Sequence, residues 1–200
     1  MILPYWLLAF FNITRFQEIS YKTGELMFKI DPIYDGCSST KVCVGYPKKC
    51  VRTKSCNAFG SYEFKDGKHI FEMRSSSNAA YIATALSFDR RMGDDSAMEC
   101  VKDGSQVKTF SSYTIREKGN YDAIRYGIPQ EIIRLNEGRI DNGAVYCKIE
   151  RDEVSTVSDV KFDLKNDKFY LLLATGNKVA SDRIKVHNLG HGISENSINA

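Results

Sequence analysis

From Ala58 onward, apolar and polar side chains alternate with period two, and turn-forming residues recur at roughly eight- to twelve-residue intervals. That rhythm predicts antiparallel strands packed as a sandwich, not helices. Tyr62 and Phe64 alternate with Ser61, Glu63 and Lys65; Asp66-Gly67 then supplies a left-handed turn, and His69, Phe71 and Met73 share the inward face of the return strand. The stretch from Ala79 to Phe88 is apolar at both parities and rich in alanine, which predicts a central strand that something bulky can approach closely. Asp103-Gly104 joins a second pair, around Met98–Val101 and Val107–Ile115. A third pair, 132–135 with 144–149, is expected to turn through both Asn136-Glu137-Gly138 and Asn142-Gly143. Val160, Phe162 and Leu164 lead through Asn166-Asp167 into an apolar strand at Phe169–Ala174. The fold class is therefore all-β, an antiparallel β-sandwich of roughly eight to ten strands.

Residues outside this region read differently. Ile2 to Phe11 has the length of a signal-peptide apolar region, so residues 1–20 are taken as a leader, 30–190 as one domain and 191–200 as a frayed tail. Asn12-Ile13-Thr14 is the one glycosylation sequon, and it is expected to leave with the leader. Six cysteines stand at 37, 43, 50, 56, 100 and 147. Their gaps are too wide for paired zinc ligands, and an even count beside Gly, Pro and Ser reads as a disulfide-stapled loop in an oxidising compartment. Six cysteines allow 15 pairings; bridges within 37–56 plus Cys100–Cys147 are preferred.

Charge narrows the function classes. Lys and Arg number 28 against 25 Asp and Glu, and the resulting +3 is scattered, so no nucleic-acid footprint is expected. A spanning helix needs about 20 apolar residues, twice the longest run, so the matured chain is expected to lack a transmembrane segment. Lys48, Lys49, Arg52 and Lys54 read as a solvated loop able to dock an acidic partner; Asp94 and Asp95 read as surface charges. No nucleophile elbow, zinc-protease, phosphate-loop or dinucleotide motif occurs, and no carboxylates have paired spacing, so no catalytic residue is assigned.

One loop does carry candidate chemistry. Asp89-Arg90-Arg91-Met92-Gly93-Asp94-Asp95 sets a thioether among charges where a buried strand leaves the core. It is either an apolar lid or an iron ligand. Paired with His187 or His191, Met92 would complete a six-coordinate haem that shuttles electrons and leaves no position open for oxygen. His69 is assigned to core or strand-edge packing.

Leu86-Ser87-Phe88-Asp89-Arg90-Arg91-Met92-Gly93-Asp94-Asp95, then Glu99-Cys100-Val101, and later Phe169-Tyr170-Leu171-Leu172-Leu173-Ala174-Thr175-Gly176 followed by a histidine, resemble the DOMON domain of the ferric-chelate reductase and stromal-cell-derived receptor group. Cys37, Lys41, Cys43, Tyr46, Pro47, Cys50 and Cys56 fit that group's cysteine-rich opening, and the resemblance covers about positions 36 to 190. It implies a DOMON-type sandwich with immunoglobulin-like layers, which in several relatives holds haem b between methionine and histidine. Met92 matches the family's Met-Gly position and His187 its late histidine, with His191 offset by four residues. The cofactor cleft is expected at one end of the sandwich, lined by Phe71, Tyr81, Leu86 and Phe88. The group's transmembrane cytochrome and N-terminal reeler modules have no counterpart in this sequence, so any reductase activity is expected to belong to an assembly with a membrane reductase or an extracellular electron acceptor. The alternative is a haem-free extracellular module for ligand or carbohydrate binding or adhesion, with Tyr113, Tyr121 and Tyr126 as stacking candidates.

Overall fold

The computed structural model describes residues 31–117 and 120–198, without the side chains of residues 117, 120 and 121. The proposed leader and the sequon lie outside the described residues. A 3-10 turn at Pro32–Tyr34 precedes β1 (Lys41–Tyr46), the one-turn helix α1 (Cys50–Thr53), β2 (Ala58–Lys65), β3 (Lys68–Arg74), β4 (Tyr81–Ser87), β5 (Ser96–Asp103), β6 (Gln106–Glu117), β7 (Asn120–Ile124), β8 (Ile133–Asp141), β9 (Ala144–Arg151), β10 (Val154–Val157), β11 (Val160–Asp163), β12 (Tyr170–Gly176) and β13 (Gly190–Ile193). They form a five-stranded sheet ordered β1-β2-β3-β9-β8, a six-stranded sheet ordered β13-β12-β4-β5-β6-β7 and the β10-β11 hairpin. Every strand pairing is antiparallel.

Period two determines which side chains meet between the sheets. Tyr62, Phe71, Met73, Cys147 and Ile149 from one sheet pack against Ile82, Leu86, Met98, Cys100, Leu171 and Leu173 from the other in one buried cluster. The Cys100–Cys147 disulfide joins the sheets through this core, while Cys37–Cys43 and Cys50–Cys56 staple the segment around β1. Asp66 and Gly67 take φ of 51° and 74°, the left-handed pair that a two-residue hairpin of β2 and β3 requires. His69 is buried, its Nδ1 2.9 Å from the Tyr62 hydroxyl, as the core assignment expects. Arg151, 1% exposed, reaches from β9 to the hydroxyls of Ser96 on β5 and Ser155 on β10, each at 2.8 Å, and burial pulls its guanidinium down to about 10.

Three expectations need correction. Asn136-Glu137-Gly138 is not a turn: β8 runs through it with a bulge between Leu135 and Glu137, and the chain reverses only at Asn142-Gly143. The strand count exceeds the expected eight to ten: β1, β7, β10 and β13 bring it to 13 among the described residues, and β11 pairs with β10. Residues 191–198 are not frayed: β13 extends the six-stranded sheet, the Ser194 hydroxyl accepts the Leu171 N–H at 3.0 Å, and Ile198 is fully buried beside Phe169. Ile198 and Ile193 are the two large apolar residues of a polar tail, and the burial of Ile198 depends on a strand edge that local pattern does not reveal.

The two sheets approach closely at Gly60, where a Cβ would lie 2.7 Å from Thr84 Cγ2 and 3.2 Å from Leu173 Cδ1. Gly60→Ala is expected to destabilise the fold by about 1–3 kcal/mol through overpacking, read as a lower midpoint in urea unfolding. An unchanged midpoint would mean that the sheets can separate there without cost.

Candidate functional site

Alternation along β4 sends Ile82, Thr84 and Leu86 into the sandwich and Tyr81, Ala83 and Ala85 to the opposite face of the six-stranded sheet. Ile82 and Leu86 belong to the inter-sheet cluster, and the Thr84 hydroxyl points at Met73 Sδ at 3.3 Å. On the outer face lies a cavity of about 830 Å³, within the size range of cofactor and ligand pockets. Ala83, Ala85, Ala97, Ala123 and Ala174, from four strands of the six-stranded sheet, give it a low apolar floor. Met92, His187 and His191 all line it.

Each candidate ligand is placed by its neighbours. His191 lies on β13 between Gly190 and Gly192, opposite Ala174 of β12. A Cβ at Gly190 would fall 2.5 Å from Tyr46 Cδ1, and one at Gly192 3.0 Å from Val44 Cγ2, so the two glycines accept β1 on one side and leave His191 on the cavity side. The loop 177–188 carries His187. It is closed by Asn177 and Asn188, with the Asn177 N–H donating to Asn188 Oδ1 at 3.1 Å and Asn188 Nδ2 to Asn177 Oδ1 at 3.0 Å. The Tyr81 hydroxyl donates to the Lys185 carbonyl at 2.7 Å, and Arg183 pairs with Asp122 in the middle of β7. The His187 and His191 rings meet edge to face, 5.2 Å between centroids. Burial, and secondarily the neighbouring His191, lower the His187 pKa, which favours its neutral form.

Met92 sits on the loop leaving β4, where Gly93 and Asp94 take φ of 117° and 63°. Asp95, 1% exposed, lines the same cavity and is not the surface charge that its neighbourhood suggests. Its Oδ2 accepts the Gly93 N–H and the Thr114 hydroxyl, both at 2.8 Å. Its pKa is raised by burial, against the lowering effect of those hydrogen bonds.

Of the expected lining residues, the structure brings only Tyr81 to the cavity with Met92, His187 and His191. Phe71 and Leu86 are fully buried between the sheets, on the wrong parity for the outer face. Phe88 is 47% exposed, stacked on Phe162 with centroids 5.3 Å apart and tilted against Phe169 with centroids 4.8 Å apart. The cleft thus lies on a sheet face, not at an end of the sandwich. Among the stacking candidates, Tyr113 is buried at 5% exposure, Tyr126 stands 95% exposed and the Tyr121 side chain is outside the described residues, so Tyr113 and Tyr126 form no shared platform. Lys48, Lys49, Arg52 and Lys54 are exposed, as expected. No helix among the described residues is long and apolar enough to cross a membrane.

The DOMON domain family matches residues 54–176. "Putative ferric-chelate reductase 1 homolog" of Drosophila melanogaster is 39% identical over 171 residues, covering 84% of this chain and 26% of that protein. The human DOMON domain-containing protein FRRS1L is 28% identical over 138 residues, covering 68% of this chain and 45% of its own length. The chain therefore spans about a quarter of the first relative and under half of the second. Among solved structures, the cytochrome b domain of pyranose dehydrogenase from Coprinopsis cinerea superposes with a TM-score of 0.47 at 12% identity, covering 68% of this chain and 74% of that one. With the matched segment taking in most of both sheets, the chain belongs to the DOMON domain family.

Proposed function

We propose that this chain is an extracellular haem b-binding electron-transfer domain, working with a membrane reductase or an extracellular electron acceptor in ferric-chelate reduction. The observation that carries the reading is the convergence of a thioether and two imidazoles on one alanine-floored cavity. Those donors suit iron: neutral imidazole is a common haem ligand, and methionine sulfur favours the ferrous state. Met92 together with His187 or His191 would hold the haem iron. Bound there, haem supplies a one-electron ferric/ferrous couple.

The chain's own residues do the rest. The alanine floor admits a flat apolar group and keeps water from its face; the Tyr81–Lys185 bond and the Asn177/Asn188 closure fix the His187 loop. Three disulfides support an oxidising, extracellular setting. The ferric-chelate reductase named among the relatives supports the iron-reduction context.

Purified oxidised protein titrated with hemin is expected to give a Soret band with 1:1 saturation and sharp visible bands on reduction. Met92→Ala should convert the low-spin spectrum to high spin, and whichever of His187→Ala and His191→Ala does the same identifies the imidazole. A chain that leaves hemin unbound in this titration is not a cytochrome domain.

A further inference from the structure

The segment that presents Met92 is held on both sides. Before Met92, Phe88 through Arg91 are exposed, but the Arg91 N–H donates to Asp89 Oδ1 at 2.7 Å and the Ser87 hydroxyl donates to the Arg91 carbonyl at 3.2 Å. After it, Gly93 and Asp94 adopt left-handed backbone, and what fixes them is β6. Asp94 N–H donates to the Thr114 carbonyl at 2.8 Å, Thr114 N–H to the Asp95 carbonyl at 2.9 Å, and Asp95 N–H to Thr114 Oγ1 at 3.0 Å. The Asp95 carboxylate then closes the assembly by accepting both the Thr114 hydroxyl and the Gly93 N–H, the peptide group immediately after Met92.

We propose that Asp95, gripped by Thr114, is a positioning residue that fixes the Met92 thioether where it would hold the haem iron and places a buried carboxylate in the wall of the cofactor cavity. This rests on the electron-transfer reading. Two consequences follow from physics alone. Anchoring the N–H next to Met92 removes most of the loop's alternatives, so the sulfur is preorganised where a free loop would spend most of its time elsewhere. A fixed charge in a low-dielectric wall also favours the more positively charged ferric iron, and losing it raises the midpoint potential.

The test has a haem-free and a haem-loaded arm. Without haem, Asp95→Ala is expected to speed hydrogen exchange of the Gly93 amide at least tenfold, while amides in the middle of β4 and β5 keep their protection. Loaded with hemin, the same variant should lose the sulfur-to-iron charge-transfer band of the ferric protein. Asp95→Asn retains an acceptor for the Gly93 N–H, and it should keep that band but titrate at a higher midpoint potential. Thr114→Val, nearly isosteric, should weaken the band in the same direction, and it serves if the alanine variant does not fold. Wild-type Gly93 exchange together with a wild-type band and potential in these variants overturns the clamp and leaves the cytochrome assignment standing. Failure of the unsubstituted protein to take up hemin overturns both.

Discussion

Replacing Cys100 and Cys147 together with alanine lowers the unfolding free energy by about 4 kcal/mol, the chain-entropy value for a loop of this length. The bridge spans 47 residues of sequence and is the one among the three that ties β5 of the six-stranded sheet to β9 of the other. Both cysteines are fully buried, so removing the sulfurs also leaves unfilled space between Met73, Ile82 and Met98 and adds to the loss. The bridges Cys37–Cys43 and Cys50–Cys56 each close a separation of six residues and confine the unfolded chain less. Urea unfolding under non-reducing conditions would show the ordering directly. If a local bridge matters as much as Cys100–Cys147, the sheets are held by packing and the cross-link is incidental.

Arg125→Ala is expected to cost about 3–5 kcal/mol at neutral pH, the usual result of removing one partner from a buried ion pair. Glu99 is fully buried on β5, and its Oε2 accepts from Arg125 Nε at 2.9 Å and Nη2 at 2.5 Å. The guanidinium lies 3.9 Å over the Phe110 ring, and its own side chain is 10% exposed. Burial raises the Glu99 pKa, and Arg125 is the main influence opposing that rise. A carboxyl whose folded pKa is raised holds its proton more tightly in the folded state. Its contribution to stability is therefore intact below the ordinary carboxylate range and is lost as pH climbs through the folded value. Without Arg125 the folded pKa climbs further. The deficit of the variant against wild type should thus be small near pH 4 and full at pH 7.5, and Glu99→Gln in the same background should recover much of it at neutral pH. Urea titrations at the two pH values decide the matter; a deficit that ignores pH means that only packing was lost.

Much of the fold was legible because strand parity and two-residue turns are local. The β2–β3 and β5–β6 hairpins, the central β4 and the inward row His69, Phe71 and Met73 all appear where alternation puts them. The preferred cysteine pairing also stands. The candidate site was legible in part. Met92 and the two late histidines carry family-like spacing, and Tyr81 lines the same cavity. Phe71 and Leu86 were misplaced because size and apolarity do not tell the two faces of a buried strand apart. The parity argument does: Tyr81, Ala83 and Ala85 are the residues to read together. Asp95 left no local signal, since its burial depends on Thr114, a residue 19 positions later in the chain.

By itself the sequence determined the alternation of most strands, the turns at Asp66-Gly67 and Asn142-Gly143 and the two local cysteine staples, because each follows from neighbours within a handful of residues. The tertiary structure decided the rest. Only the packing of one sheet on the other settles which face is core and which is cavity. Only the return of the chain as β13 brings His191 beside β12 and buries Ile198. Those outcomes arise from contacts between segments separated by tens of residues, where the free energy belongs to the assembled surface and not to any stretch of chain.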